Sequence, residues 1–80
     1  MLTTGNQLKA ARALAGLNQG ELAKMAGLNI ATISAMEGKA GDTLTSGLDT
    51  VQAVMRALAE AGVEVTNYDG RPGVEMRRPI

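Results

Sequence analysis

The chain has 80 residues, eight Lys and Arg against eight Asp and Glu, no histidine and no cysteine. One domain of this length buries only about 60–65% of the surface its unfolded chain exposes, so the core is small. Imidazole general bases, thiol nucleophiles, disulfides and His- or Cys-based metal sites are excluded, no cofactor is predicted, and an enzyme reading has little to stand on.

The apolar area comes almost entirely from alanine, leucine, valine and methionine, with Tyr68 as the single aromatic residue. That mixture favours closely packed helices. No apolar run approaches the ~20 residues of a membrane span, and the N-terminal residues lack the apolar core of a signal peptide, so the expected location is the cytoplasm. Charge is distributed mildly: residues 1–40 carry Lys9, Arg12, Lys24 and Lys39 against Glu21 and Glu37, whereas residues 41–60 carry Arg56 against Asp42, Asp49 and Glu60.

In chain order, "TGNQ" at 4–7 predicts a capping box in which Thr4 accepts from the Gln7 backbone and the Gln7 amide reaches back. The first helix then runs to Ala15, with Leu8, Ala11, Leu14 and Ala15 on one face and Gly16 as its stop. A second capping box, "NQGE", starts a helix at Asn18 that points Leu22 and Met25 inward and ends near Ala26. Gly27 takes the turn, and Asn29 caps a third helix with Ile33 and Met36 inside. Residues 38–47 carry three glycines and little periodicity, which predicts a mobile loop.

Residues 48–61 form the longest periodic segment, capped by Ser46 or Asp49, with Leu48, Val51, Met55 and Leu58 in one stripe and Val54 widening it. The period then falls to two. Val63 and Val65 alternate with Glu64 and Thr66, Val74 and Met76 alternate with Glu75 and Arg77, and "NYDGRPG" lies between, so residues 63–78 read as a β-hairpin. The expected fold is mainly α, four to five helices with a short C-terminal hairpin.

Residues 19–36 carry a denser pattern. Ala23 is small where two helices approach, Gly27 turns the chain, and Leu22, Ala26, Leu28, Ile33 and Met36 are apolar where the pair faces its core. With its surroundings, "QLKAARALAGLNQGELAKMAGLNIATISAMEGK" resembles the phage-repressor, Cro-like helix-turn-helix family, also called the xenobiotic-response-element family. The segment "LNQGELA" is its most specific part, and the C-terminal "RALAEAGVEV" and "DGRPGVEMRR" resemble the helix-plus-hairpin tail of small bacterial members.

The resemblance implies a sequence-specific transcriptional regulator, a repressor acting by operator occupancy on double-stranded DNA. The third helix would enter the major groove. Asn18, Gln19, Thr32 and Lys39 match positions at the DNA backbone, and Asn29, Ile30, Ala31, Ser34 and Ala35 match positions that face or flank the bases. Ile30, Ala31 and Ala35 depart from the Gln, Arg or Lys often found there; Ile30 and Ala31 would meet thymine methyls instead, and Asn29 would bond an adenine edge. The resemblance also suggests that Arg12 and Glu37 form a structural clamp, consistent with charges placed at the margin of the core. Lys24, Arg71, Arg77 and Arg78 read as solvated charges.

Few phosphate contacts per chain argue for a homodimer, built from the last helix and the hairpin, with Val54, Val63, Val65, Val74 and Met76 as its surface. Two recognition helices would then stand roughly 34–36 Å apart. A different class of reading keeps the fold and changes its use. An antitoxin-like or anti-activator module would bind a protein partner through the apolar outer face of the third helix or through the hairpin.

Overall fold

The computed structural model describes residues 2–77, so Arg78, read above as a solvated charge and as the hairpin's last residue, lies outside them. The order of elements is α1 (Gly5–Ala15), α2 (Gln19–Ala26), α3 (Ile30–Glu37), α4 (Leu48–Glu60), β1 (Val63–Tyr68) and β2 (Arg71–Met76). The described residues are thus mainly α, with four helices and one antiparallel two-stranded hairpin.

The first three helices are short and held at both ends. Thr4, Asn18 and Asn29 each accept a backbone N–H from the first turn of their helix, satisfying donors that a helix start leaves unpaired. Gly16 and Gly27 close α1 and α2 in the left-handed region, at φ 75° and 69°. Leu17 N–H donates to the Arg12 carbonyl and Leu28 N–H to that of Ala23, which completes two Schellman-type ends. No comparable device starts α4: Gly47 occupies the cap without a side-chain bond, so neither Ser46 nor Asp49 has the expected role.

Leu8, Leu22, Ile33, Val54, Leu58 and Val63 are the largest fully buried side chains, one or more from every element except β2. α4 packs on α2 and on β1, so its buried stripe is wider and rotated relative to the expected one. Val54 lies at its centre, whereas Leu48, at the first turn, is 56% exposed. Val54, Val63 and Val65 are therefore core residues of the single chain, and the reading of them as dimer surface is corrected. Leu14 and Met25, expected on inward faces, are also exposed.

Residues 38–47 form successive turns anchored at several points. Leu44 N–H donates to the Thr3 carbonyl, Thr43 bridges Thr4, and Asn6 N–H donates to the Ala40 carbonyl. Gly5 makes this docking possible. A Cβ there would stand 2.4 Å from the Met36 carbonyl oxygen and 2.8 Å from the Ala40 nitrogen.

The hairpin turns at Asp69 and Gly70, both at positive φ, the pattern of a type I′ turn whose twist suits two strands. Val65 pairs with Val74 and Thr66 with Gly73. Gln7 fastens the hairpin to α1. Its side-chain carbonyl accepts from Thr3 N–H, and its buried amide nitrogen donates to the carbonyls of both Thr66 and Gly73. The expected reach of Gln7 back to the cap residue thus falls one residue earlier, on Thr3, and its amide nitrogen adds a tie to the hairpin. Arg77, read above as a solvated charge, forms an ion pair with Glu64.

Candidate nucleic-acid interface

α3 divides sharply by exposure. Ile33, Met36 and Glu37 are buried, Thr32 is half-buried, and Ile30, Ala31, Ser34 and Ala35 face outward. The outward set is small apart from Ile30, so the backbone of α3 lies close to anything that approaches it. Ile30 itself is 53% exposed and leans over the start of α2, where Gly20 leaves room for its Cδ1.

One network of charged and amide groups fixes α3 against the other two helices. Arg12 of α1 donates from Nε to Glu37 Oε2 at 2.7 Å and from Nη2 to Oε1 at 3.0 Å, a bidentate pair. Arg12 Nη1 also donates to the Leu17 carbonyl in the α1–α2 turn. Gln19 of α2 donates to Glu37 Oε1 at 3.1 Å. Burial pushes the Glu37 carboxyl up, but hydrogen bonds from Arg12 and Gln19, with the charges of Arg12 and Lys9, outweigh it and hold the group below the usual carboxylate range. Among the described residues no buried side-chain nitrogen or oxygen lacks a partner.

The residues named from sequence therefore fall into distinct surroundings. Asn18 is exposed and its side-chain oxygen is engaged with Glu21 N–H in the α2 capping box. Gln19 spends one amide N–H on Glu37, which leaves its second N–H and the backbone at the start of α2 for an outside group. Asn29 holds Ala31 N–H with its side-chain oxygen at 2.9 Å. A bidentate grip on adenine requires that oxygen as well as the amide nitrogen, so with its cap intact Asn29 offers a base only the nitrogen.

Lys39 is exposed just beyond α3, beside a groove of about 350 Å³ that also touches Ala31, Thr32, Ala35, Thr45 and Ser46. This arrangement gathers one ammonium and three hydroxyls along one flank of α3, donors of the kind that meet phosphate oxygens. Thr45 and Ser46 were absent from the sequence-based set. The available signal was "TSG" directly before the last helix, which reads first as a cap, yet α4 carries no side-chain cap bond.

Val74 is half-buried and Met76 is 39% exposed, so of the five residues assigned to a dimer these two remain at the surface. Among the described residues no group of three or more acidic, His or Cys side chains is placed to hold a metal, and no helix is long and apolar enough to cross a membrane. No protein-family model matches the chain, and no curated protein matches it.

Proposed function

We propose that the protein is a sequence-specific, helix-turn-helix DNA-binding regulator that acts as a homodimer, with α3 as the element that enters the major groove. The observation that carries this reading is the outer face of α3: a row of small exposed residues, flanked by Lys39 and the hydroxyls of Thr32, Thr45 and Ser46. A helix whose outward side chains are short admits the edges of base pairs closely, and donors along its flank suit the phosphates that border a groove. The three-helix network at Glu37 supports it further, because a reading helix must be held in one orientation. Occupancy of an operator is then the whole mechanism.

Ile30, Ala31 and Ala35 would supply apolar contact to thymine methyls, so discrimination would come from A·T-rich positions and from DNA shape. Titrations of selected and random duplexes by fluorescence anisotropy, repeated over a range of salt concentrations, test this. Lys39→Ala weakens binding to every sequence alike and lowers the slope of log affinity on log salt by about 0.9, as loss of one phosphate contact does. Ile30→Ala instead changes which sequence is preferred. A Lys39→Ala protein with altered preference and an unchanged slope would remove Lys39 from the phosphate set.

The uncharged, apolar tip formed by Ile30 favours a second reading, in which the same face binds a protein. Passage of the wild type straight through a DNA resin at low salt selects that reading. Retention that salt abolishes selects DNA.

A further inference from the structure

The hydrogen-bond phase of the hairpin follows from two independent contacts. Arg77 N–H donates to the Gly62 carbonyl, and Gln7 Nε2 stands 3.0 Å from the Thr66 oxygen and 2.9 Å from the Gly73 oxygen. One nitrogen cannot reach two carbonyls that diverge to opposite edges of a ribbon, so Thr66 and Gly73 turn their backbone groups toward each other. Gly62 with Arg77 and Thr66 with Gly73 are in the same phase of the pairing. Alternation then directs the backbone groups of Pro72, Val74 and Met76 to the outer edge of β2. Pro72 has no N–H, and it sits where the hairpin requires none.

The two edges differ in what covers them. Val63 and Val65 of β1 are buried and α4 packs on that strand. α1 packs against β2 and Gln7 bonds Gly73, yet β2 is exposed or half-buried throughout, and a groove of about 340 Å³ bordered by Asn6, Ala10, Pro72 and Val74 opens between α1 and that strand. A strand edge left this way is a template for another strand.

We infer that a second copy of this chain pairs its own β2 antiparallel to this edge, about a two-fold axis at Gly73, making one four-stranded sheet. Charge complementarity selects both the occupant and the register. With the axis at Gly73, Arg71 lies opposite the partner's Glu75 and Glu75 opposite the partner's Arg71, while Pro72 lies opposite the partner's Val74 on the other face. Every such pair is favourable. An axis at Val74 sets Arg71 against the partner's Arg77, an axis at Glu75 sets Glu75 against its own copy, and an axis at Pro72 sets Asp69 against the partner's Glu75.

Backbone chemistry agrees with the same register. Val74 N–H meets the partner's Pro72 carbonyl, so the missing proline donor costs one bond per copy and leaves the other in place. The axis itself falls on a non-hydrogen-bonded pair, where strands approach most closely, and the residue there is glycine.

The inference rests on the homodimer in the reading above and on nothing about DNA, so its test is run without DNA. Wild-type protein at high micromolar concentration is expected to scatter light as twice its chain mass of 8.3 kDa. Arg71→Glu and Glu75→Arg each turn both symmetric pairs repulsive and weaken the dimer by roughly 10- to 100-fold. An equimolar mixture of the two single variants restores every pair and dimerises, as does the double exchange Arg71→Glu/Glu75→Arg in one chain. Circular dichroism of each variant reports that the monomer is folded. A monomeric wild type, singles that remain fully dimeric, or a mixture that stays monomeric each overturns the interface; a monomeric wild type would also leave the β2 edge to a strand from another protein.

Discussion

Gly5→Ala lowers the stability of the folded chain by about 3 kcal/mol, roughly 12–24 °C in thermal midpoint for a domain of this size. The added methyl has no place to go, since the Met36 and Glu37 carbonyls and the Ala40 nitrogen all belong to backbone. Backbone yields only by shifting a whole element, so α1 must withdraw from the end of α3 and give up the bond from Asn6 to Ala40. Gly41→Ala is the control, because its Cβ meets nothing closer than the Asn6 amide at 3.8 Å. Thermal melts of the two variants decide the matter. A Gly5→Ala protein within ~1 kcal/mol of the control would mean that α1 and α3 are less tightly joined than described.

Arg12→Ala is expected to cost about 2–3 kcal/mol, somewhat less than for a wholly buried pair because the guanidinium keeps some contact with water. The loss is large because Glu37 stays behind, almost covered, with Gln19 as its remaining hydrogen-bond donor. Replacing both partners by Met and Leu strands no charge and should restore most of the difference. Acid supplies a second readout. The folded Glu37 carboxyl lies below its unfolded value, near 4.3, so its contribution is complete above about pH 4.3 and disappears as pH falls through the folded value. Glu37→Gln should lower stability at neutral pH and flatten that part of the acid limb. If wild type and Glu37→Gln lost stability in parallel between neutral pH and pH 3, the carboxylate would not be coupled to folding.

The short helices were legible because their signals are local. Thr4, Asn18 and Asn29 act on N–H groups within three residues, and Gly16 and Gly27 act on their own φ angles. Asp69–Gly70 fixed the hairpin in the same way. Burial was less legible, since periodicity finds an apolar stripe without saying how many neighbours it serves. α4 touches both α2 and β1, which draws Val54 to the centre and leaves Leu48 outside. The burial of Val63 and Val65 is not legible in the same way, because nothing in the alternation of a strand tells an outer sheet from one docked on its own helices.

The site shows the same division. Asn29 and Gln19 were identified by type, but the groups already bonded to them, Ala31 N–H and Glu37, depend on rotamers and on helix placement. Gly5 and Gly73 carry a signal of their own in the sequence. A glycine inside a helix or strand weakens that element, and each of these stands where a Cβ would fall within 3.0 Å of a neighbour.

Gln7 carries a consequence for the order in which the chain folds. The two carbonyls that receive its amide are 59 and 66 residues further on, so the bonds close loops nearly as long as the chain. Contacts of that span form late, after the entropy of closure has been offset by other packing. During synthesis α1 leaves the ribosome with a polar side chain pointed into what will become the interior, well before the carbonyls that receive it. Until the hairpin docks, Leu8 and Ala11 beside it lack part of their final cover, and water keeps the Gln7 amide satisfied. Opening the finished hairpin reverses that step: it breaks both bonds from the Gln7 amide and uncovers Leu8 and Ala11 together, so the hairpin's amide protons should exchange with solvent only in openings that loosen its packing on α1 as well.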